Sequence, residues 1–219
     1  MIAEPERDSR YSWRPAISGS CRAARGGMKE FVKSVAMFLG LAIMAIPAAT
    51  CWLERRLGTG DRIFLSWGQF CALLPGLPGA YLRRCFYCLT LERCARDCHI
   101  GFLSLITSRK TTIEASVYIG PMVVIGIATL GRGALIGTRA GILNGGHQHE
   151  RLPDGTLTPF LPDRAPRTHI GADSWIGEAA IVMADVGARC IVGAASVVHR
   201  PVKDDSIVAG NPARLIRTM

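Results

Sequence analysis

The sequence predicts a mainly β protein, a stack of short parallel strands wound into a solenoid behind an apolar helical segment. Three observations carry that prediction. Aliphatic residues recur six apart at Ile170, Ile176 and Val182, and again, after a step of four, at Val186, Val192 and Val198, four of the six followed by Gly. A six-residue period fits neither a helix nor an ordinary two-sided strand, but it fits a coil of three short sides. Two stretches without a charged residue, 35–53 and 63–82, lie ahead of the repeats. The formal charge of +9 is also uneven: residues 1–110 hold 16 Lys and Arg against 8 Asp and Glu, while residues 111–219 hold 10 against 9.

Residues 1–27, rich in Arg, Ser, Gly and Pro with no apolar period, are expected to form a disordered basic tail. Residues 28–99 form an apolar helical, membrane-associated segment with its linker. Within it the uncharged run Val35–Leu53 just reaches the length of a membrane span. It is long and starts late, and no cleavage-type small-residue site precedes Glu54, Arg55 and Arg56, so a signal peptide is not expected. In the second run Pro75, Gly76, Pro78 and Gly79 would break a helix in its later half, giving a short amphipathic helix and a turn. Lys29 and Lys33 stand before the first run, and Arg55, Arg56 and Arg62 after it. Basic flanks on both sides favour a shallow hairpin or interfacial helix pair on the inner leaflet over a simple span, with packing against the solenoid as the competing account. No nucleic-acid motif accompanies the basic half, so an anionic membrane surface is the expected partner and nucleic acid is not.

Residues 83–99, a helix or compact linker, hold Cys85, Cys88, Cys94 and Cys98 beside His99. Short-gapped thiol pairs resemble structural zinc sites, yet the spacings are uneven and leave little loop between Cys88 and Cys94. Buried thiols are expected here and no metal; the eight cysteines of the chain are expected mostly reduced. The solenoid is placed at residues 100–219, with Ile113, Ile119 and Ile125, then Leu130, Ile136 and Ile142, as its first clear coils. At 144–169 the repeat stops. This insert holds three of the five histidines and four of the twelve prolines, and solenoid inserts often form the binding face.

The segments IGADSWIG, GAASVV and the closing SIVAGNPARLIR resemble the hexapeptide-repeat acyltransferases, in particular the coenzyme A-dependent sugar O-acetyltransferases. The resemblance covers about half the chain and implies a left-handed parallel β-helix, acetyl-CoA as co-substrate, a homotrimer with sites between subunits, and a histidine base. His149 is the preferred base, with His147 two residues away as the other choice; Glu150 or Asp154 would orient the ring. The resemblance also places Trp175, Glu178 and Ala194 along the pantetheine arm and Arg214 and Arg217 at the phosphate end, with Lys203 as a further candidate. The family usually keeps a six-residue step where this chain takes four, from Val182 to Val186, so a reshaped cofactor wall is expected there.

The function expected is acetyl transfer to a sugar hydroxyl of a surface polysaccharide or its lipid-linked precursor, at the cytoplasmic face of the inner membrane. Serine acetyltransferase and amino-sugar N-acetyltransferase activities compete within the same fold. A γ-type carbonic anhydrase, drawing on His147, His149 and His169, and a non-catalytic trimeric scaffold compete from outside it.

Overall fold

The computed structural model describes residues 22–58, 60–145, 151–158 and 165–219, with side chains from residue 33 onward. Two compact units divide at Ala36, and the architecture below is that of the second, Met37–Met219. Three helices come first: α1 (Arg22–Leu57), α2 (Arg62–Ala72) and α3 (Gly76–Thr90). Helix α1 starts six residues before the expected start of the helical segment at residue 28. The break in the second uncharged run is a turn at residues 73–75, after which α3 begins. Pro78 falls in the first turn of α3, where its missing N–H costs no hydrogen bond.

The solenoid is built in coils of three strands. The first holds β1 (Arg93–Cys94), β2 (His99–Ile100) and β3 (Leu105–Ile106); the second β4 (Thr112–Ile113), β5 (Tyr118–Ile119) and β6 (Val124–Ile125); the third β7 (Ala128–Leu130), β8 (Leu135–Ile136) and β9 (Gly141–Ile142). The fourth holds β10 (Thr168–Ile170), β11 (Trp175–Ile176) and β12 (Ile181–Val182), and the fifth β13 (Ile191–Val192) and β14 (Val197–Val198). The chain ends in β15 (Ser206–Ala209) and an antiparallel return strand, β16 (Arg214–Thr218). Like sides stack into three parallel sheets. Sheet A is β1-β4-β7-β10, extended by bridges from Ile170 to Val186 to Val202; sheet B runs from β2 to β16; sheet C is β3-β6-β9-β12-β14. The repeat thus begins at Arg93, inside the stretch expected to be linker.

Inward residues of successive coils, such as Ile100, Ile119, Ile136, Ile176, Val192 and Val208 on sheet B, form the core. Packing between coils explains the glycine that follows so many of them. A Cβ at Gly177 would sit 2.6 Å from Ala194 N, and one at Gly171 2.3 Å from Ala188 N. Gly is therefore demanded by the approach of the next coil. The left-handed corner positions are filled by other residues, among them Asp173, Ala179 and Ala195 at φ 57°, 55° and 54°. Buried serines knit the corners: Ser174 Oγ donates to Gly187 O (2.7 Å) and accepts from Cys190 N (2.9 Å). Cys190 itself is a buried core thiol.

Length varies at one corner only. From sheet A to B and from B to C the inward residues are always six apart. From C to A the steps are Ile106 to Ile113, Ile125 to Leu130, Ile142 to Ile170, Val182 to Val186 and Val198 to Val202. The four-residue step before Val186 is thus one of two alike. Val186 still pairs between Ile170 and Val202, and β11 still pairs in register with β13, so the shortening stays in the corner.

The helices are docked on the first coil. Phe64, Phe86 and Tyr87 are buried together, and Tyr87 Oη accepts from Ile106 N (3.1 Å). Arg83, also buried, donates to Ile100 O (3.0 Å), Cys71 O (3.3 Å) and Leu74 O (2.5 Å). Arg109, in the first C-to-A corner, pairs with buried Glu54 of α1 and with Asp61 (2.8 Å) and lies over the Phe64 ring. The opposite side of α1 is bare: Phe38, Ile43, Ile46 and Leu57 are 57–74% exposed. Lys33–Leu57 is long and apolar enough to cross a membrane, by length and composition.

The seven described cysteines are free thiols. Cys85 packs against Met37 and Gly40. Cys94 Sγ lies 3.7 Å from both Cys88 Sγ and Cys98 Sγ. The hydrogen bond with Cys94 pulls Cys88 below the ordinary thiol value, and Arg84 and Arg96 act in the same sense. Among the described residues no group of three His, Cys, Asp or Glu side chains could hold a metal ion.

Candidate active site

The long insert leaves the solenoid between Ile142 and Thr168, at the same C-to-A corner where lengths vary. It is shorter than expected by two residues, because Thr168 and His169 belong to β10. His169 stands outward on sheet A, opposite Thr129, and its N–H donates to Asp185 Oδ1 (2.8 Å). It is therefore a strand residue, not a loop histidine. His147, His149 and Glu150 lie outside the described residues.

The neck of the insert is held by Asn144, which is buried. Its Nδ2 donates to Ile127 O (2.8 Å) and Pro166 O (2.9 Å), and its Oδ1 accepts from Ile127 N (3.0 Å). One side chain thus ties both ends of the loop to the coil below. Gly126 makes room for it, since a Cβ there would come within 2.1 Å of Asn144 Oδ1. Thr168 Oγ1 donates to Leu143 O (2.5 Å) and Arg167 pairs with Glu92 (2.7 Å), closing the neck from the return side. Within the insert, Arg151 and Leu157 bridge as a small hairpin. Asp154 Oδ1 accepts from the Thr156 hydroxyl (2.7 Å) and N–H (2.9 Å), which hold its carboxyl below the usual carboxylate range. That oxygen makes the turn.

The cofactor candidates fall into groups. Trp175, Ile191, Ile207 and Arg217 are successive register partners, so they form one outward row across sheet B. The pairing of β16 shifts between Ile207 and Val208, leaving Ile216 unpaired, and this bulge brings Arg214, opposite Ala209, to the same face as Arg217. Glu178 and Ala194 stack at the corner between sheets B and C, where Ala195 N donates to Glu178 O (2.7 Å). Lys203 lies off the outward row. It lines a cavity of ≈ 420 Å³ with His199 and Arg200 at the far end of the solenoid, which Leu215 and Thr218 of β16 also line, and its carbonyl accepts from the Cys190 thiol (3.0 Å).

No protein-family model matches the chain. Residues covering 41% of it are 36% identical to serine acetyltransferase 2 of Arabidopsis thaliana, and residues covering 41% are 29% identical to a putative lipopolysaccharide biosynthesis O-acetyl transferase of Escherichia coli K12. The chain spans 28% and 49% of those relatives' lengths. A hexapeptide-repeat acetyltransferase of Vibrio cholerae, solved with acetyl coenzyme A, superposes with a TM-score of 0.59 over 70% of this chain and 84% of its own, at 20% identity. The fold is that of the hexapeptide-repeat acetyltransferases. Relatives in sequence and neighbours in structure agree with the repeat pattern on this point.

Within the hexapeptide-repeat frame, three residues that build the candidate site carry no repeat signal. Asn144 looks in sequence like any polar residue before Gly-Gly. Arg109 and Glu54, which fix α1 to the solenoid corner, are 55 residues apart and belong to no local pattern. Only the odd seven-residue step from Ile106 to Ile113 marks the Arg109 corner as longer than its neighbours.

Proposed function

We infer that the chain is an acetyl-CoA-dependent O-acetyltransferase acting on a sugar hydroxyl. The observation that carries this reading is the outward strip of sheet B. It runs from Trp175 over Ile191 and Ile207 to Arg217, with Arg214 on the same face. Three inter-strand steps make it about 14 Å long. An apolar strip that ends in two guanidinium groups suits the pantetheine arm and the phosphates of coenzyme A. A loop histidine, His149 or His147, takes the proton of the acceptor hydroxyl as its oxygen attacks the thioester carbonyl. The C–S bond then breaks and coenzyme A leaves as the thiol, carrying that proton.

The neck of the histidine loop and the Glu178–Ala194 corner lie at opposite edges of sheet C. A site using both draws them from neighbouring chains, which supports a homotrimer. The bare apolar side of α1 with Arg55 and Arg56 at its end supports attachment to the inner leaflet from the cytoplasmic side. The likeness to a lipopolysaccharide O-acetyl transferase supports a surface polysaccharide or its precursor as acceptor, and the likeness to a serine acetyltransferase names the rival. Incubation with acetyl-CoA and, separately, serine, an amino sugar and a hydroxyl-bearing saccharide decides among them. O-acetyl sugar as the product is the expected result. Transfer to serine or only to the amine overturns it, and a protein that binds no coenzyme A is a scaffold.

A further inference from the structure

We propose that the cleft between the end of α1 and the corners of the first three coils binds the phosphate of an acceptor whose sugar is carried on a lipid phosphate or diphosphate. This rests on the acetyltransferase reading and assigns the acceptor a place. The cleft has a volume of ≈ 470 Å³, within the ~300–1,000 Å³ of small-ligand sites. Its walls include Arg55 from the last turn of α1, Ser108 and Lys110 from the first C-to-A corner, and Leu65, Ile127 and Asn144.

Charge fixes the ligand's class. Two cations, Arg55 and Lys110, reach the cleft from different elements. The carboxylate on its wall, Asp61, shares Arg109 (2.8 Å) with buried Glu54, so Arg55, Lys110 and Arg109 against these two carboxylates leave the cleft with one positive charge in excess. The neighbouring hydroxyls divide the work: Thr107 Oγ1 donates to Ile125 O (3.1 Å), whereas Ser108 Oγ accepts from Lys110 N (3.2 Å) and keeps its own proton to give. An arginine, a lysine and a hydroxyl donor suit a phosphate or diphosphate. The described walls carry no aromatic ring on which a nucleobase would stack.

Position fixes what lies on either side of the phosphate. Arg55 also lines a second cavity of ≈ 390 Å³ with Trp52 and Arg56, and Arg56 lies over the Trp52 ring at 4.7 Å. That cavity opens where Trp52, Leu53 and Leu57 are more than half exposed, so a hydrocarbon chain beyond the phosphate meets apolar surface. At its other end the cleft reaches Asn144, the residue from which the histidine loop departs, with His147 and His149 three and five residues further on in the sequence. Lipid, phosphate and sugar then follow one another from the exposed face of α1 to the root of the catalytic loop.

The test is calorimetric binding of three probes to the full chain in mild detergent: farnesyl diphosphate, inorganic pyrophosphate and UDP. Farnesyl diphosphate is expected to bind at least about ten-fold more tightly than the other two. Arg55→Gln and Lys110→Gln should each weaken it by about ten-fold, the scale of one lost charge-assisted hydrogen bond, while Arg55→Lys restores part of it. Both side chains are exposed, so folding is expected to survive, and an unchanged melting temperature checks this. Equal binding of farnesyl diphosphate and pyrophosphate would make this a simple anion site. Tighter UDP binding would point to a nucleotide sugar, and a double variant that binds normally would remove the cleft; each overturns the proposal. Acetyl-CoA binding on the same samples separates the two readings. Its loss in the wild-type chain sinks the acetyltransferase, whereas farnesyl diphosphate binding that ignores Arg55 and Lys110 sinks only the cleft.

Discussion

Asn144 makes three hydrogen bonds that join the two ends of a loop to the coil beneath it, and no other described residue at the neck reaches all three partners. Asn144→Ala would leave the buried Ile127 N–H without its partner, while Ile127 O keeps the Thr168 N–H (3.0 Å), and the unpaired donor costs about 1–3 kcal/mol. The melting temperature should fall, and limited proteolysis within residues 145–166 should quicken before the rest of the chain is cut. Proteolysis unchanged in site and rate would show that the neck is held by other means. The histidines give a different signature: His149→Ala should lower turnover by about 100-fold, the usual scale for a general base, with coenzyme affinity kept. If His147→Ala alone has that effect, the base is the other residue. These histidines stood out in the sequence because a repeat stops around them. Asn144 did not, since its importance comes from Gly126, eighteen residues earlier, leaving the space its amide fills.

At the scale of the element, the coils from Ile113 onward were legible because strict six-residue steps bring aliphatic residues inward. The first coil was hidden: one of its inward positions is Cys94, and its strands begin directly after a helix. Glycine spacing is visible in the repeat, but its cause, the close approach of the next coil, is visible only in the structure. Gly177→Ala should therefore cost about 1–3 kcal/mol, because its Cβ meets backbone at Ala194 and Val192 that cannot step aside. Gly141→Ala, with open space around it, should be near neutral. Equal melting temperatures for the two variants would contradict this account. The helical segment was legible as apolar but not as two-faced, because a helix apolar all round shows no stripe. Its buried side is part of the solenoid's core through Phe64, Phe86 and Tyr87, so cutting the chain near residue 83 would expose that core. Attachment to membrane is better tested in the full chain. Phe38→Ser, Ile43→Ser and Ile46→Ser together should move it from the membrane fraction to the supernatant with its melting temperature kept, and continued sedimentation with membranes would count against the interfacial helix.

For the whole molecule, what matters is that variation is confined to one corner while the sheets stay in register. Insertions and short steps fall where C turns to A, so the histidine loop can be long without disturbing Trp175 or Arg217 two sheets away. The same geometry keeps the loop's neck and the Glu178–Ala194 corner apart within one chain. Sequence repeats revealed both groups of residues but not their separation, which depends on how the three sides of a coil face outward. In the proposed homotrimer, closed three-fold symmetry would bring one chain's C-to-A corner towards its neighbour's sheet B without any change inside the chain. Mixing an inactive His149→Ala chain with an inactive Arg217→Ala chain then tests the arrangement. In randomly assembled trimers about a quarter of the sites would draw an intact histidine from one chain and an intact arginine from the next. Recovery of roughly that share of wild-type activity, after denaturing and refolding the two together, is the expected outcome. A mixture no more active than its parts, or a monomer by light scattering, would place the histidine and the cofactor strip in the same chain and require the loop to cross sheet C.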